Sequence, residues 1–230
     1  MATENLAAIL SGCNTVFFDF DGPICDVFAG MPANQVATEL AHLVGKHHPA
    51  LTEKARETDD PMEILRLSPQ GGEALIAAVE EALTKAEVAA VAVAGNPTDG
   101  AVSALEATRK SGRSAVIVSN NSAECVREFM RRHEILHLVH EVVGRAHEKP
   151  ELMKPSPHSL FVAAELLSEE PSRCVLVGDS VTDVEAAHRA GSRAIGYANK
   201  PPKLRSLAEA GADEVVSDML TVARALTPRA

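Results

Sequence analysis

Five short apolar runs recur along this chain, and the segments between them have the periodicity of helices. The runs are NTVFFDF (14–20), SAVIVS (114–119), EVVG (141–144), RCVLVGD (173–179) and RAIGYA (193–198). Each is rich in β-branched or aromatic side chains and stops at turn residues, as at Gly22-Pro23, so each reads as a buried strand. Of the intervening segments, Ala101 to Lys110 stops at Ser111-Gly112, Ala123 to Arg132 follows, and Val184 to Ala190 ends at Gly191, a C-terminal cap residue. Strand and helix in alternation predict an α/β fold, a parallel sheet with helices on both faces. In such sheets ligands bind at the carboxyl ends of the strands, so the polar residues just after each strand matter most.

The alternation is interrupted once. From Pro23 to about Pro97 no convincing strand occurs; ANQVATELAHLVGKHH, DPMEILRLS and the Ala-rich GGEALIAAVEEALTKAEVAAVAVAG all read as helical. This predicts a helical insert over 24–97, with 1–23 and 98–230 forming the sheet domain. Its flanks, Gly22-Pro23 and the stretch from Gly95 to Gly100, are rich in turn residues and suit hinges. The Ala-rich stretch 74–94 reads most simply as packing.

The residues that trail the predicted strands are chemically uniform. Asp19 and Asp21 follow the first, Ser119 and Asn120 the second, Asp179 and Asp183 the fourth, and Lys154 lies on the approach to the fourth. Parallel neighbouring strands bring these groups to one sheet edge. Carboxylates crowded together repel unless a cation sits among them, and hard oxygen donors select Mg²⁺. A carboxylate beside a second carboxyl group is suited to attack phosphorus while its neighbour handles the leaving-group proton. An ammonium, a hydroxyl and backbone N–H groups stabilise the charge on a phosphoryl group in transfer.

Charge and composition narrow the alternatives. With 22 Lys and Arg against 32 Asp and Glu, a net charge of −10 and only 3% aromatics, the chain lacks both the basic face and the stacking rings that nucleic-acid binding uses. Its four cysteines, Cys13, Cys25, Cys125 and Cys174, form no CxxC pair and suggest a reducing compartment. No run approaches the ~20 apolar residues of a membrane span, and the expected location is the cytoplasm.

Taken in order, FFDFDGPICD, VIVSNN, MKPSPHSL and VGDSVTD resemble the four motifs of the haloacid dehalogenase-like superfamily. The resemblance spans most of the chain. It implies a Rossmann-like core with strand order 54123 and identifies the insert with a helical cap of the C1 type. It makes Asp19 the nucleophile, Asp21 the general acid and base, Ser119 (with Asn120 beside it) the phosphate-binding hydroxyl, and Lys154 the charge-balancing lysine. Mg²⁺ is then held by Asp19, the backbone carbonyl of Asp21, Asp179 and, directly or through water, Asp183. An aspartate at position 21 resembles phosphatases and phosphomutases, since the dehalogenases lack it. The implied activity is a Mg²⁺-dependent phosphatase acting on a small phosphorylated metabolite, with a β-phosphoglucomutase-like mutase as alternative and an idle binding protein on the same fold as a third reading. Pro23 departs from the Thr or Val that many relatives carry there.

Other readings compete for some of these residues. Asp183 also fits a cap at the start of a helix. Ser119-Asn120 fits ordinary turn chemistry. His133-Glu134-Ile135-Leu136-His137 matches H-E-x-x-H, a helical zinc signature, although it falls at a helix end with no clear third ligand after it. In the insert, Lys46, Arg56 and Arg66 are candidates for reading a substrate's anionic or hydroxyl groups, against the plainer reading of solvated helix ends.

Overall fold

A computed structural model describes residues 2–227. Six parallel strands form one sheet: β1 (Thr15–Phe18), β2 (Ser114–Val118), β3 (Glu141–Val143), β4 (Cys174–Gly178), β5 (Arg193–Tyr197) and β6 (Glu214–Val216). Their spatial order is β3-β2-β1-β4-β5-β6. From the far edge this is 5-4-1-2-3 with β6 added outside β5, so the expected order is present and one strand was missed. With three residues, two of them half-buried, β6 has too little apolar run to register in the sequence.

Every residue of β1 is buried, because β2 and β4 flank it and helices cover both faces. Val16 and Phe18 point to one face, against α1 (Ala2–Ser11), α6 (Ala101–Lys110), α7 (Ala123–Arg132) and α11 (Met219–Leu226). Phe17 points to the other, with α8 (His158–Leu166), α9 (Val181–Ala190) and α10 (Pro201–Glu209). Burial on both faces is why these strands read as continuous apolar runs. The three helices expected from periodicity are α6, α7 and α9, and Gly191 ends α9 in the left-handed region (φ 80°) that glycine tolerates best.

Between β1 and α6 lie four α-helices, α2 (Ala33–His47), α3 (Thr52–Arg56), α4 (Pro61–Leu67) and α5 (Glu73–Val93). They have their own apolar cluster, built from Val36, Leu40, Val44, Ile64, Leu65, Leu75, Val79 and Leu83. Met153, just before Lys154, belongs to this cluster, so the insert packs against the loop that carries the lysine. Helix α5 reaches further: beyond Leu83, its Ala90 and Val91 enter the cluster on the sheet. One continuous helix thus serves both apolar cores.

Among the described residues no helix is long and apolar enough to cross a membrane. All four cysteines are buried and unpaired.

Candidate active site

The carboxyl edge of the sheet brings together the side chains that sequence order separates. Lys154 is 2% exposed and is the centre of the cluster. Its Nζ donates to Asp19 Oδ1 at 2.7 Å and to the Val118 carbonyl at 3.1 Å, and it forms an ion pair with Asp183 Oδ1 at 2.6 Å. Burial works against the charged ammonium, but the Asp183 and Asp19 carboxylates outweigh it and raise its pKa. Lys154 is therefore a fixed positive charge, not a proton donor.

Asp19, Asp179 and Asp183 each offer a carboxylate oxygen, and these oxygens lie within 4.8 Å of one another. Asp19 is raised well above the usual carboxylate range, first by burial, then by repulsion from Asp183, with Lys154 opposing. Asp179 is also raised, mainly by burial, and its Oδ2 is held by Lys203 and by Asn199 Nδ2 at 3.2 Å. Asp21 lies beside this group. Its Oδ1 accepts the Val27 N–H at 3.0 Å; the residue as a whole is exposed, yet desolvation of its carboxyl group, with Asp179 and Asp26 nearby, raises its pKa to about 6. A carboxyl group with that value exchanges its proton close to neutral pH.

Two glycines make the crowding feasible. Gly22 has φ 101°, and a β-carbon there would collide with the Asp179 carboxylate. Likewise a β-carbon on Gly178 would run into Asp183. Each glycine is thus a requirement of the carboxylate beside it.

The two oxygens of Asp183 have different surroundings. Ser180 caps α9, accepting the Asp183 N–H, while Asp183 Oδ2 accepts from the Ser180 N–H (3.0 Å) and hydroxyl (2.6 Å), a reciprocal capping box. Its other oxygen, Oδ1, is buried without a hydrogen bond and faces Lys154. A buried carboxylate oxygen whose one close partner is an ammonium, with two further carboxylates within 4.8 Å, fits a divalent cation. Asp19, Asp179 and Asp183 are the side chains that would hold one. The charge count agrees: Asp19, Asp21, Asp179 and Asp183 face Lys154 and Lys203, which leaves negative charge in excess.

Ser119 is 1% exposed, with its N–H donating to the Val143 carbonyl. Its hydroxyl donates to Asn121 Oδ1 at 3.1 Å and accepts the Asn121 N–H at 3.0 Å. Asn120 lines the same cleft, and its amide brackets the Lys154 backbone, accepting from its N–H at 2.8 Å and donating to its carbonyl at 3.3 Å. The cleft, of about 230 Å³, lies between these groups and Asp60, Met62, Glu63 and Arg66, which run from the N-cap of α4 to its last turn. Arg66 donates through Nη2 to the Lys154 carbonyl at 2.8 Å and pairs with Glu63 at 3.1 Å. Arg56 instead pairs with exposed Glu53 and lines a separate small pocket, and Lys46 stands in the last turn of α2.

The H-E-x-x-H segment is not on an α-helix, and only Leu136 and His137 enter a short 3-10 turn. Helix α7 ends at Arg132, Glu134 turns back with φ 57°, and His133 stacks against Phe129, ring centroids 4.3 Å apart. Sequence reasoning overlooked Lys203 and Asn199, although both follow β5 and the strand-end rule points to them. It also overlooked Arg145, Glu80 and Glu87, for which no local pattern exists.

A family model described as haloacid dehalogenase-like hydrolase matches residues 13–191, from just before β1 to the end of α9. The chain belongs to the haloacid dehalogenase-like hydrolase family. Curated relatives include a phosphoglycolate phosphatase from Aquifex aeolicus, 33% identical over 91 residues (39% of this chain, 41% of that one). An N-acetylmuramic acid 6-phosphate phosphatase from Pseudomonas aeruginosa is 30% identical over 127 residues (54% and 55%). The matched segments span about half or less of the length of those relatives. Among solved structures, β-phosphoglucomutase from Clostridium difficile superposes with a TM-score of 0.66 at 19% identity, covering 90% of this chain and 92% of that one. At that identity the likeness speaks for the Rossmann-like family fold alone.

Proposed function

We propose that this family member is a Mg²⁺-dependent phosphatase that hydrolyses a small phosphorylated metabolite through an aspartyl-phosphate on Asp19. The observation that carries the reading is the meeting of Asp19, Asp21, Ser119 and Lys154 around one cleft beside a three-carboxylate group. The phosphatase names of the curated relatives point the same way.

Asp19 has one oxygen tied to Lys154, which leaves the other to attack phosphorus. Attack forms the Asp19–phosphorus bond and breaks the bond to the leaving oxygen, which takes a proton from Asp21. Asp21 then accepts a proton from the water that cleaves the acyl phosphate, and Asp19 is restored. Lys154 stabilises charge on the transferring group, and the Ser119 hydroxyl with nearby backbone N–H groups positions its oxygens. Bound Mg²⁺ supplies charge neutralisation and a template for the phosphoryl oxygens. Segment 24–97 acts as the cap over a core of 1–23 and 98–230, and Arg66 is the cap residue placed to read the leaving group. The modest cleft supports a small substrate, and four buried thiols support a reducing location such as the cytoplasm.

The test is a screen of phosphomonoesters for released phosphate with Mg²⁺, alongside an aryl phosphate and the Asp19→Asn variant. The variant is expected to lose turnover by about 10⁴-fold or more, as removal of a nucleophile does. Unchanged turnover in Asp19→Asn overturns the reading. Isomerised sugar phosphate with a bisphosphate requirement and little free phosphate replaces it with a mutase.

A further inference from the structure

A second buried charge cluster lies behind the Ser119 loop. Arg145, just after β3, has a side chain only 1% exposed, between Glu80 (2%) and Glu87 (0%) of α5. Its Nε donates to Glu80 Oε1 at 2.6 Å, Nη1 to both Glu87 oxygens at 2.7 and 2.8 Å and to the Asn120 carbonyl at 3.3 Å, and Nη2 to Thr84 Oγ1 at 2.8 Å. Two carboxylates on one guanidinium are an expensive thing to bury, and apolar side chains of similar volume commonly do as well for stability. What the cluster secures is geometry.

Glu87 reaches past Arg145 to the loop. Its Oε1 accepts Asn121 Nδ2 at 3.1 Å and its Oε2 accepts the Ser122 N–H at 3.0 Å. A carboxylate only accepts, so the amide nitrogen of Asn121 must face it, and Asn121 Oδ1 must face the other way, toward the Ser119 hydroxyl. The Arg145 N–H donates to the Asn121 carbonyl at 3.0 Å and closes the ring of contacts. The hydroxyl position at the end of β2 is thereby dictated from α5, the helix that also carries the apolar core of the insert.

We propose that the Glu87–Arg145 pair is a positioning device that sets the Asn121 amide and through it the place of the Ser119 oxygen, whose one hydrogen turns from Asn121 Oδ1 to a phosphoryl oxygen when that group binds. This rests on the phosphatase reading. It adds residues that touch neither substrate nor metal, and it links the insert to the phosphate loop.

The experiment compares unaltered protein, Glu87→Gln and Thr84→Val. It reads KM and kcat with an aryl phosphate, and binding of inorganic phosphate by titration calorimetry. Glutamine has the same shape but offers a donor as well as an acceptor, so the Asn121 amide is no longer forced. KM and the phosphate dissociation constant are expected to rise together by about tenfold with kcat changed less than about threefold, the signature of a misplaced binding group. Thr84→Val removes an Arg145 contact without touching the loop, and both readouts should stay within about twofold. A Glu87→Gln protein that melts earlier but keeps its KM and phosphate affinity overturns the proposal, since the pair is then merely structural. Should Glu87→Gln not fold, Arg145→Lys keeps the charge and loses the fork, and unchanged phosphate binding in it is equally contrary. Phosphate bound without turnover of any phosphomonoester defeats the phosphatase reading alone, because the calorimetric comparison still tests the pair. No phosphate bound by unaltered protein defeats both.

Discussion

The molecule buries two clusters of similar make-up, each a single cation between two carboxylates, and they do different work. Around Arg145 the guanidinium spreads its hydrogen bonds over Glu80, Glu87, Thr84 and Asn120, leaving one Glu80 oxygen unpartnered. Around Lys154 the ammonium alone faces Asp19 Oδ1 and Asp183 Oδ1, Asp179 stands close by as a third carboxylate, and the group lines a cleft. Buried charge alone does not mark a reactive centre. Surplus negative charge bordering a cleft is what a cation would arrive to balance, and the cation with Lys154 would then offset the charge of an anionic phosphoryl group.

The comparison breaks most visibly if the cations are removed one at a time. Lys154→Met and Arg145→Met each strand two buried carboxylates, at a cost of about 3–5 kcal/mol, measured by urea unfolding. The clusters separate when Mg²⁺ is added. Lys154→Met should regain much of its stability, since the ion replaces the lost positive charge at the open cluster, while Arg145→Met should not respond. Equal rescue of both, or of neither, contradicts the distinction.

A smaller effect sharpens the same point. Lys203 pairs with Asp179 from a partly exposed position, and Asn199 adds a hydrogen bond. Because its charge competes with a metal ion for that carboxylate, Lys203→Met should lower the Mg²⁺ concentration needed for half-maximal turnover by up to roughly thirtyfold, the scale of a unit charge about 4 Å from a divalent cation in water. A rise in that concentration would instead make Lys203 a support that orients Asp179.

What the sequence revealed and concealed follows this contrast. The open cluster was legible because its members trail strands, and strands buried on both faces announce themselves as short apolar runs. Asp183 was legible as a residue at the start of a helix, where its Oδ2 accepts from the Ser180 hydroxyl, and its Oδ1 faces Lys154. The closed cluster was not legible: Arg145 lies 58 residues from Glu87 and 65 from Glu80, and the helix bearing both acids reads as Ala-rich packing. Which of Lys46, Arg56 and Arg66 meets the cleft was equally hidden, since short helices in the insert have no fixed partner in the sequence. Arg66 lines the cleft because Met153 anchors the insert beside Lys154. The H-E-x-x-H match failed for a local reason, a left-handed residue at Glu134 that ends helical spacing.

The account stands on Asp19 as the atom donor to phosphorus. Rapid quenching in acid during turnover of a labelled phosphomonoester, then peptide mapping by mass spectrometry, tests this most directly. The account predicts an acid-stable, hydroxylamine-sensitive phosphoryl group on the peptide spanning Thr15 to Gly22, located at Asp19 and absent from Asp19→Asn. Turnover with no covalent phosphate on that peptide, or with the label on another residue, contradicts it.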